Sequence, residues 1–344
     1  MNIDYGEIEA VLGQIMDNPL SFGEMVSKTM EKGMAFSVSE WIGMMGTVAK
    51  EQLRNNGRII GYLLLLLLSS ALLSAVAKAF RSRQISDMGF YMIFLLMFLI
   101  LMKSFGVCCE MTAEVILELT DFMKVLMPAY LMAAAVGTYQ TTAVVYYEGF
   151  LLLVYYLQKL MEYVLLPGIR CYVLFSMISF LGEADYFTKG REGMKKLILW
   201  ILRAMIAVTA GFGMIQGMIT PAIDEMKHTL FSKGISSLGS LGNVAGNVTD
   251  VILGSGILLK NGIGAAASVI ILSICLIPAV EVICHLVFYQ ALGILAEPIS
   301  DKRFLGLLYQ AGEGMGLLVK LLFTVCALFL LTIAMVCVTT RGTL

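Results

Sequence analysis

The sequence is poor in charge. Lys, Arg, Asp and Glu together make up 14% of 344 residues, where a soluble domain carries about a quarter. A fold that must wet its own surface cannot be built from so few, which excludes an ordinary water-soluble globule. Neither sign is in excess. The net charge is −1 and no run of Lys or Arg occurs, so the chain offers nucleic acid no surface. There are two histidines and seven cysteines (Cys108, Cys109, Cys171, Cys275, Cys284, Cys326 and Cys337) but no CxxC pair, hence neither a zinc knuckle nor a redox couple. Nearly all the cysteines lie in or beside apolar stretches and read as packing residues, as do the 24 methionines. HExxH, P-loop, GxSxG and paired GxGD motifs are missing. The expectation is therefore no catalytic residue, no metal, no cofactor and no enzymatic activity.

What is abundant is apolar. Hydrophobic residues reach 59% and the mean hydropathy is +0.85. A bilayer is the solvent that accepts such a composition, and in it backbone groups must bond within helices. The fold class expected is all-α, a polytopic transmembrane helical bundle with amphipathic interfacial helices.

Two regions are expected. Residues 1–56 read as an N-terminal amphipathic helical cap outside the membrane, with Ile8, Val11, Leu12 and Ile15 at helical spacing, a break at Asp17-Asn18-Pro19, and a capping-box pattern at Ser37 and Glu40. Its first residues lack the charged start and apolar core of a signal peptide. Residues 57–344 read as the multi-span domain. Spans are expected at 59–77, 88–102, 143–161, 164–181, 197–219, 262–281 and 317–338, with 123–136 and 282–296 as short additional segments, seven to nine in all. Pro167-Gly168 should bend one span, and Pro278 should mark a hairpin or the meeting of two. Glu110, Glu114, Glu118 and Asp121 share one helical face, which predicts a separate amphipathic helix over 107–124. Residues 222–260 are polar enough, and rich enough in Gly, Ser and Asn, to leave the hydrocarbon. Lys78, Arg81 and Arg83, then Lys189, Arg191, Lys195 and Lys196, mark two cytoplasmic loops; the N-terminus then lies outside, and Arg341 is assigned inside by the same bias.

Polar residues inside apolar surroundings are the candidates for function. Asn243, Asn247, Asp250, Gly254 and Asn261 fall on one helical face. That stripe could line a water-filled path, or face water from a helix lying flat at the interface. Glu281 and His285 are one turn apart; they could pair at a helix end or relay a proton. Glu148 and Arg170 could pair across neighbouring helices. Arg203 and Lys320 can snorkel. Small-xxx-small spacing at Gly213/Gly217, Gly242/Gly246 and Gly312/Gly316 permits close helix approach within one chain or between copies, so a homo-oligomer is compatible.

Three stretches resemble one family. They are Phe36-Ser-Val-Ser-Glu-Trp41 running through Asn56-Gly57-Arg58; Asn247-Val-Thr249-Asp250 leading to Leu258-Leu259-Lys260-Asn261; and Pro278-Ala279-Val280 followed by the last span. Their order and spacing are similar to the stage III sporulation protein AE family of endospore formers. The resemblance implies a multi-pass protein of the mother-cell membrane around the forespore. It implies a permease-like subunit, a channel or export gate, of a secretion-like complex. Its partners would be other stage III sporulation membrane proteins and, through the complex, stage II sporulation protein Q. It adds Thr249 and Lys260 to Asn243, Asn247, Asp250 and Asn261 as candidates for pore lining or assembly. The alternative is a stand-alone secondary transporter for a small solute, which would call for matching halves around a midplane site.

Overall fold

The computed structural model describes residues 6–15, 26, 38–80, 83–137, 149, 152–181, 188–235 and 241–339; the side chains of 215–260 lie outside that description. Every regular element among these residues is helical: α1 (Gly6–Ile15), α2 (Val38–Phe80), α3 (Arg83–Gly137), α4 (152–160), a π-turn (Met161–Leu165), α5 (Leu166–Ile178), α6 (Thr188–Ile235), α7 (Leu241–Ala296) and α8 (Lys302–Thr339). Among the described residues, six stretches are long and apolar enough to cross a membrane.

The helices are longer than a bilayer requires. The α3 helix has 55 residues and α7 has 56, each on the order of 80 Å against a hydrocarbon core of about 30 Å. Segments expected to be separate are therefore fused. The span at 88–102, the acidic amphipathic stretch and 123–136 are all parts of α3, and the acidic face is the exposed side of one rod whose opposite side buries Val115, Ile116, Leu119 and Phe122. The helix α7 continues through Pro278, so 262–281 and 282–296 form neither a hairpin nor two spans. No turn residue accompanies this proline, and Ala279, Val280 and Val282 are buried around it.

The expected spans 143–161 and 164–181 are likewise one, Leu152–Ile178. Pro167 stands near the start of α5, directly after the π-turn. A proline ring clashes with the carbonyl four residues back, and the wider π-turn absorbs that conflict without breaking the helix. The helix α2 runs unbroken through residue 56, so the end of the N-terminal region and the first span are one element.

The spans alternate in direction and form three hairpins whose turns lie at one end of the bundle. Leu73 faces Gly89 across the first hairpin, Phe180 faces Gly306, and Tyr309 faces Gly293. Phe90 and Phe94 pack on Phe304, with ring centroids 5.0 and 6.3 Å away, which sets the start of α8 beside the early part of α3. This is the end where Lys189, Arg191, Lys196, Lys302 and Arg303 cluster; Asp301 caps α8 by accepting the Arg303 N–H at 3.0 Å. Because α8 runs away from the basic end, residue 339 lies at the opposite end. Arg341, assigned inside from the sequence, lies outside the described residues.

The hub is α8, which touches α3, α5, α6 and α7. Glycines set its closest approaches. A Cβ at Gly314 would collide with Val173 of α5 and press on Phe105 of α3, and one at Gly316 would meet Leu286 of α7 at 3.3 Å. The Gly312/Gly316 pair is thus used within the chain, against α7. Hydroxyls inside the spans donate to their own helix: Thr112, Thr120, Thr209 and Thr332 each reach the carbonyl four residues back, which satisfies them without a partner helix.

Candidate functional site: a polar junction of three helices

Near the basic end, polar side chains from α5, α6 and α8 converge. The carboxylate of Glu313 on α8 accepts the Tyr172 hydroxyl of α5 at 2.7 Å and forms an ion pair with Lys195 of α6. One turn toward the basic end, Arg191 donates to Ser179 Oγ at 3.4 Å, and Ser179 donates to the Ser176 carbonyl at 2.7 Å. Phe180 lies under the Arg191 guanidinium, 5.9 Å from it.

The helices dictate this meeting. Tyr172, Ser176 and Ser179 lie along one stripe of α5; Arg191 and Lys195 are one turn apart on α6; Gln310 and Glu313 are one turn apart on α8. Gly312 and Gly314 flank Glu313, and the absence of a side chain at Gly314 lets α5 come close enough for Tyr172 to reach the carboxylate. The junction is graded in burial. Tyr172 is 1% exposed and Ser176 fully buried, whereas the Lys195 and Glu313 side chains are 38% and 31% exposed. Ser176 Oγ and Gln310 Oε1 are buried without a hydrogen-bond partner among the described residues. Chemically the junction is an electrostatic clamp that fixes α5, α6 and α8 at one height. A second tie, Tyr289 donating to Ser104 at 2.6 Å, both buried, joins α7 to α3 at the same height.

The residues singled out from sequence are scattered. Asn243, Asn247, Thr249, Asp250 and Lys260 lie on α7, with side chains outside the described set, and Asn261 is exposed on the same helix. Glu281 and His285 sit mid-helix rather than at a helix end. Their link is His285 Nδ1 to the Glu281 backbone carbonyl at 3.0 Å, not to its carboxylate, and the imidazole packs edge-on to Tyr289. Glu148 lies outside the described residues; Arg170 is exposed and lies against the Cys109 thiol. No three His, Cys, Asp or Glu side chains among the described residues are placed to hold a metal ion.

Tyr172, Lys195 and Glu313 were not among the sequence candidates. Glu313 carried a readable signal, since it is a lone acid in an apolar stretch of α8. Lys195 read as a loop residue but belongs to the second turn of a helix.

Six long apolar helices in three hairpins, joined by buried polar ties, define a multi-pass helical membrane protein. The sequence matches the family described as Stage III sporulation protein AE over residues 20–340, and the chain belongs to that family. A relative, Stage III sporulation protein AE of Bacillus subtilis (strain 168), is 22% identical over 268 residues, covering 77% of this chain and 67% of its own length. No solved structure matches the chain. Family membership carries a role in sporulation.

Proposed function

We propose that this chain is the non-enzymatic, permease-like subunit, a channel or export gate, of a secretion-like complex that links mother cell and forespore during endospore formation. It sits in the mother-cell membrane around the forespore. It works with other stage III sporulation membrane proteins and, through the complex, with stage II sporulation protein Q. The observation that carries this reading is the family match across 20–340. The helix lengths support it: α3, α6 and α7 have 55, 48 and 56 residues, more than the ~20 an upright span uses, which leaves partners helical surface outside the bilayer. The Asn243, Asn247, Asp250 and Asn261 face of α7 is the stretch proposed for pore lining or assembly, with Thr249 and Lys260 beside it.

The test is affinity capture of the tagged, full-length chain from sporulating cells in mild detergent. Co-purification of the other stage III sporulation membrane proteins supports the reading. Recovery of the chain alone, with uptake of a small solute into vesicles by the purified protein, would favour a stand-alone transporter.

A further inference from the structure

The exposed apolar surface of the bundle is staggered. Heights along the bundle follow from the cross-helix contacts: Ser104 is level with Tyr289, Phe105 with Val173 and Gly314, and Glu313 with Lys195. Counting equally along α2 and α3 from the Leu73–Gly89 contact brings Arg58 to the same level. Below this level, toward the hairpins, α2 and α3 expose Leu65, Leu68, Leu72, Met92 and Leu96. At or above it the same two helices expose Glu51, Arg54, Arg58, Lys103, Glu110 and Glu114, and more sparsely Met45, Val107 and Leu117. The other side of the molecule differs. Lys189, Glu192 and Lys196 are exposed at or below the level on α6; Leu174, Phe175 and Ile178 of α5 are exposed just below it, and above it α4–α6 expose Tyr156, Tyr163, Val164, Trp200, Val208 and Met214. The surface of α7 and α8, between the two, exposes apolar residues at both heights, from Ile294 and Leu295 up to Phe323 and Leu272, with Lys320 exposed on α8.

Charged residues also lie in the upper apolar zone: Arg170 is exposed on α5 against the Cys109 thiol. Lys159 and Glu162 pair at 3.5 Å. Arg203 is exposed on α6, and helical side chains lean toward the helix N-terminus, here the basic end, to which it can snorkel.

We propose that the bundle lies obliquely in the bilayer. Hydrocarbon covers the lower part of α2 and α3 and the upper part of α4, α5 and α6. The acidic face of α3 and the N-terminal half of α2 stand in water on one side, and the basic start of α6 stands in water on the other. The two apolar zones are offset by about 20 residues, or ~30 Å. α3 touches α5, and α8 lies between α3 and α6, so the zones are one to three helix spacings apart, each about 9 Å, and the inclination is steeper than the average of about 20° for transmembrane helices.

The test uses the full chain in phosphatidylcholine vesicles, with acyl-chain-brominated lipid and aqueous iodide as quenchers. The chain has two tryptophans, so Trp41→Phe leaves Trp200 alone, about 8 Å above Lys195. On a Trp41→Phe/Trp200→Phe background, Glu110→Trp reports a site about 9 Å above Ser104, at nearly the same height. Trp200 is expected to be quenched at least twofold by brominated lipid and little by iodide, and Glu110→Trp the reverse. Below the level, Leu96→Trp is expected to follow Trp200, and Lys189→Trp to follow Glu110→Trp. Lys189, Glu110, Leu96 and Trp200 are exposed, and an unchanged size-exclusion profile confirms the fold of every variant. Equal quenching of Trp200 and Glu110→Trp means an upright bundle and overturns the proposal. So does Leu96→Trp shielded from both quenchers, which would mean that a second copy of the chain, not lipid, covers the lower zone.

Discussion

Replacing Glu313 by alanine should destabilise the bundle in a way that separates its two partners. The Tyr172 hydroxyl is buried and donates to this carboxylate at 2.7 Å. Deleting the acceptor leaves a buried donor unsatisfied, which costs about 1–3 kcal/mol. Lys195 is different: its side chain is 38% exposed, so a freed ammonium turns to water, and the lost pairing is worth at most about 1 kcal/mol. The total expected for Glu313→Ala is about 1–4 kcal/mol. Tyr172→Phe removes the donor and leaves Glu313 with Lys195 and solvent, which should cost about 1–2 kcal/mol. Lys195→Met should cost less than either. The double variant Tyr172→Phe/Glu313→Ala should be less destabilised than the sum of the single ones, because the orphaned hydroxyl is gone, with a coupling of about 1–2 kcal/mol. The assay is reversible unfolding of the purified protein in mixed micelles, titrated with SDS and followed by circular dichroism and tryptophan fluorescence. Additive effects of Tyr172→Phe and Glu313→Ala, or a Lys195→Met effect as large as that of Glu313→Ala, would refute the reasoning.

The other expected outcomes are simpler to read. Gly314→Leu should cost about 1–3 kcal/mol or more by forcing α5 and α3 away from α8, seen as loss of monodisperse protein in size-exclusion chromatography. Gly190→Ala, where an added Cβ meets nothing, should behave as wild type. Tyr289→Phe should lower stability by about 1–2 kcal/mol in the same SDS titration, because it orphans Ser104 in the core. Cys275 and Cys326 lie thiol to thiol and line a cavity of about 230 Å³ between α7 and α8, so a membrane-permeant thiol oxidant should join them; intact-mass loss of two hydrogens and a cross-linked peptide pair would show it, and failure would contradict the α7–α8 register. Asp250→Lys should reduce spore yield at least tenfold and Glu7→Lys less than twofold, as counted by heat-resistant colonies.

The fold class was legible because apolar runs such as Leu63–Leu68 admit only lipid-facing or buried helices. The number of spans was less so, because a twenty-residue window cuts long rods into pieces. Pro278 and Pro167 look like breaks in the sequence. In the bundle one is held by packing on its flanks, and the other is relieved by a π-turn that no local pattern announces. The acidic face from Glu110 to Asp121 was read correctly as an exposed face, but its continuity with the preceding span is set by burial of Val115, Leu119 and Phe122 against other helices. The polar junction escaped because its partners are distant along the chain. Tyr172 and Glu313 are 141 residues apart, and a tyrosine in an apolar run does not reveal a carboxylate across a helix interface. Glu313 alone could have been found, as an ionisable residue in a span that must have a partner. Glu281 and His285 drew attention by spacing, yet that spacing serves a contact within one helix.

The measurement that tests the central claim most directly is an in-frame deletion of this gene in its spore-forming host, followed through sporulation by microscopy and a late forespore-specific reporter. The account predicts completed engulfment, then a small or collapsing forespore with a silent reporter, both restored by the wild-type gene supplied from a promoter active only in the mother cell. Normal spores with an active reporter, or rescue only by expression in the forespore, would contradict it.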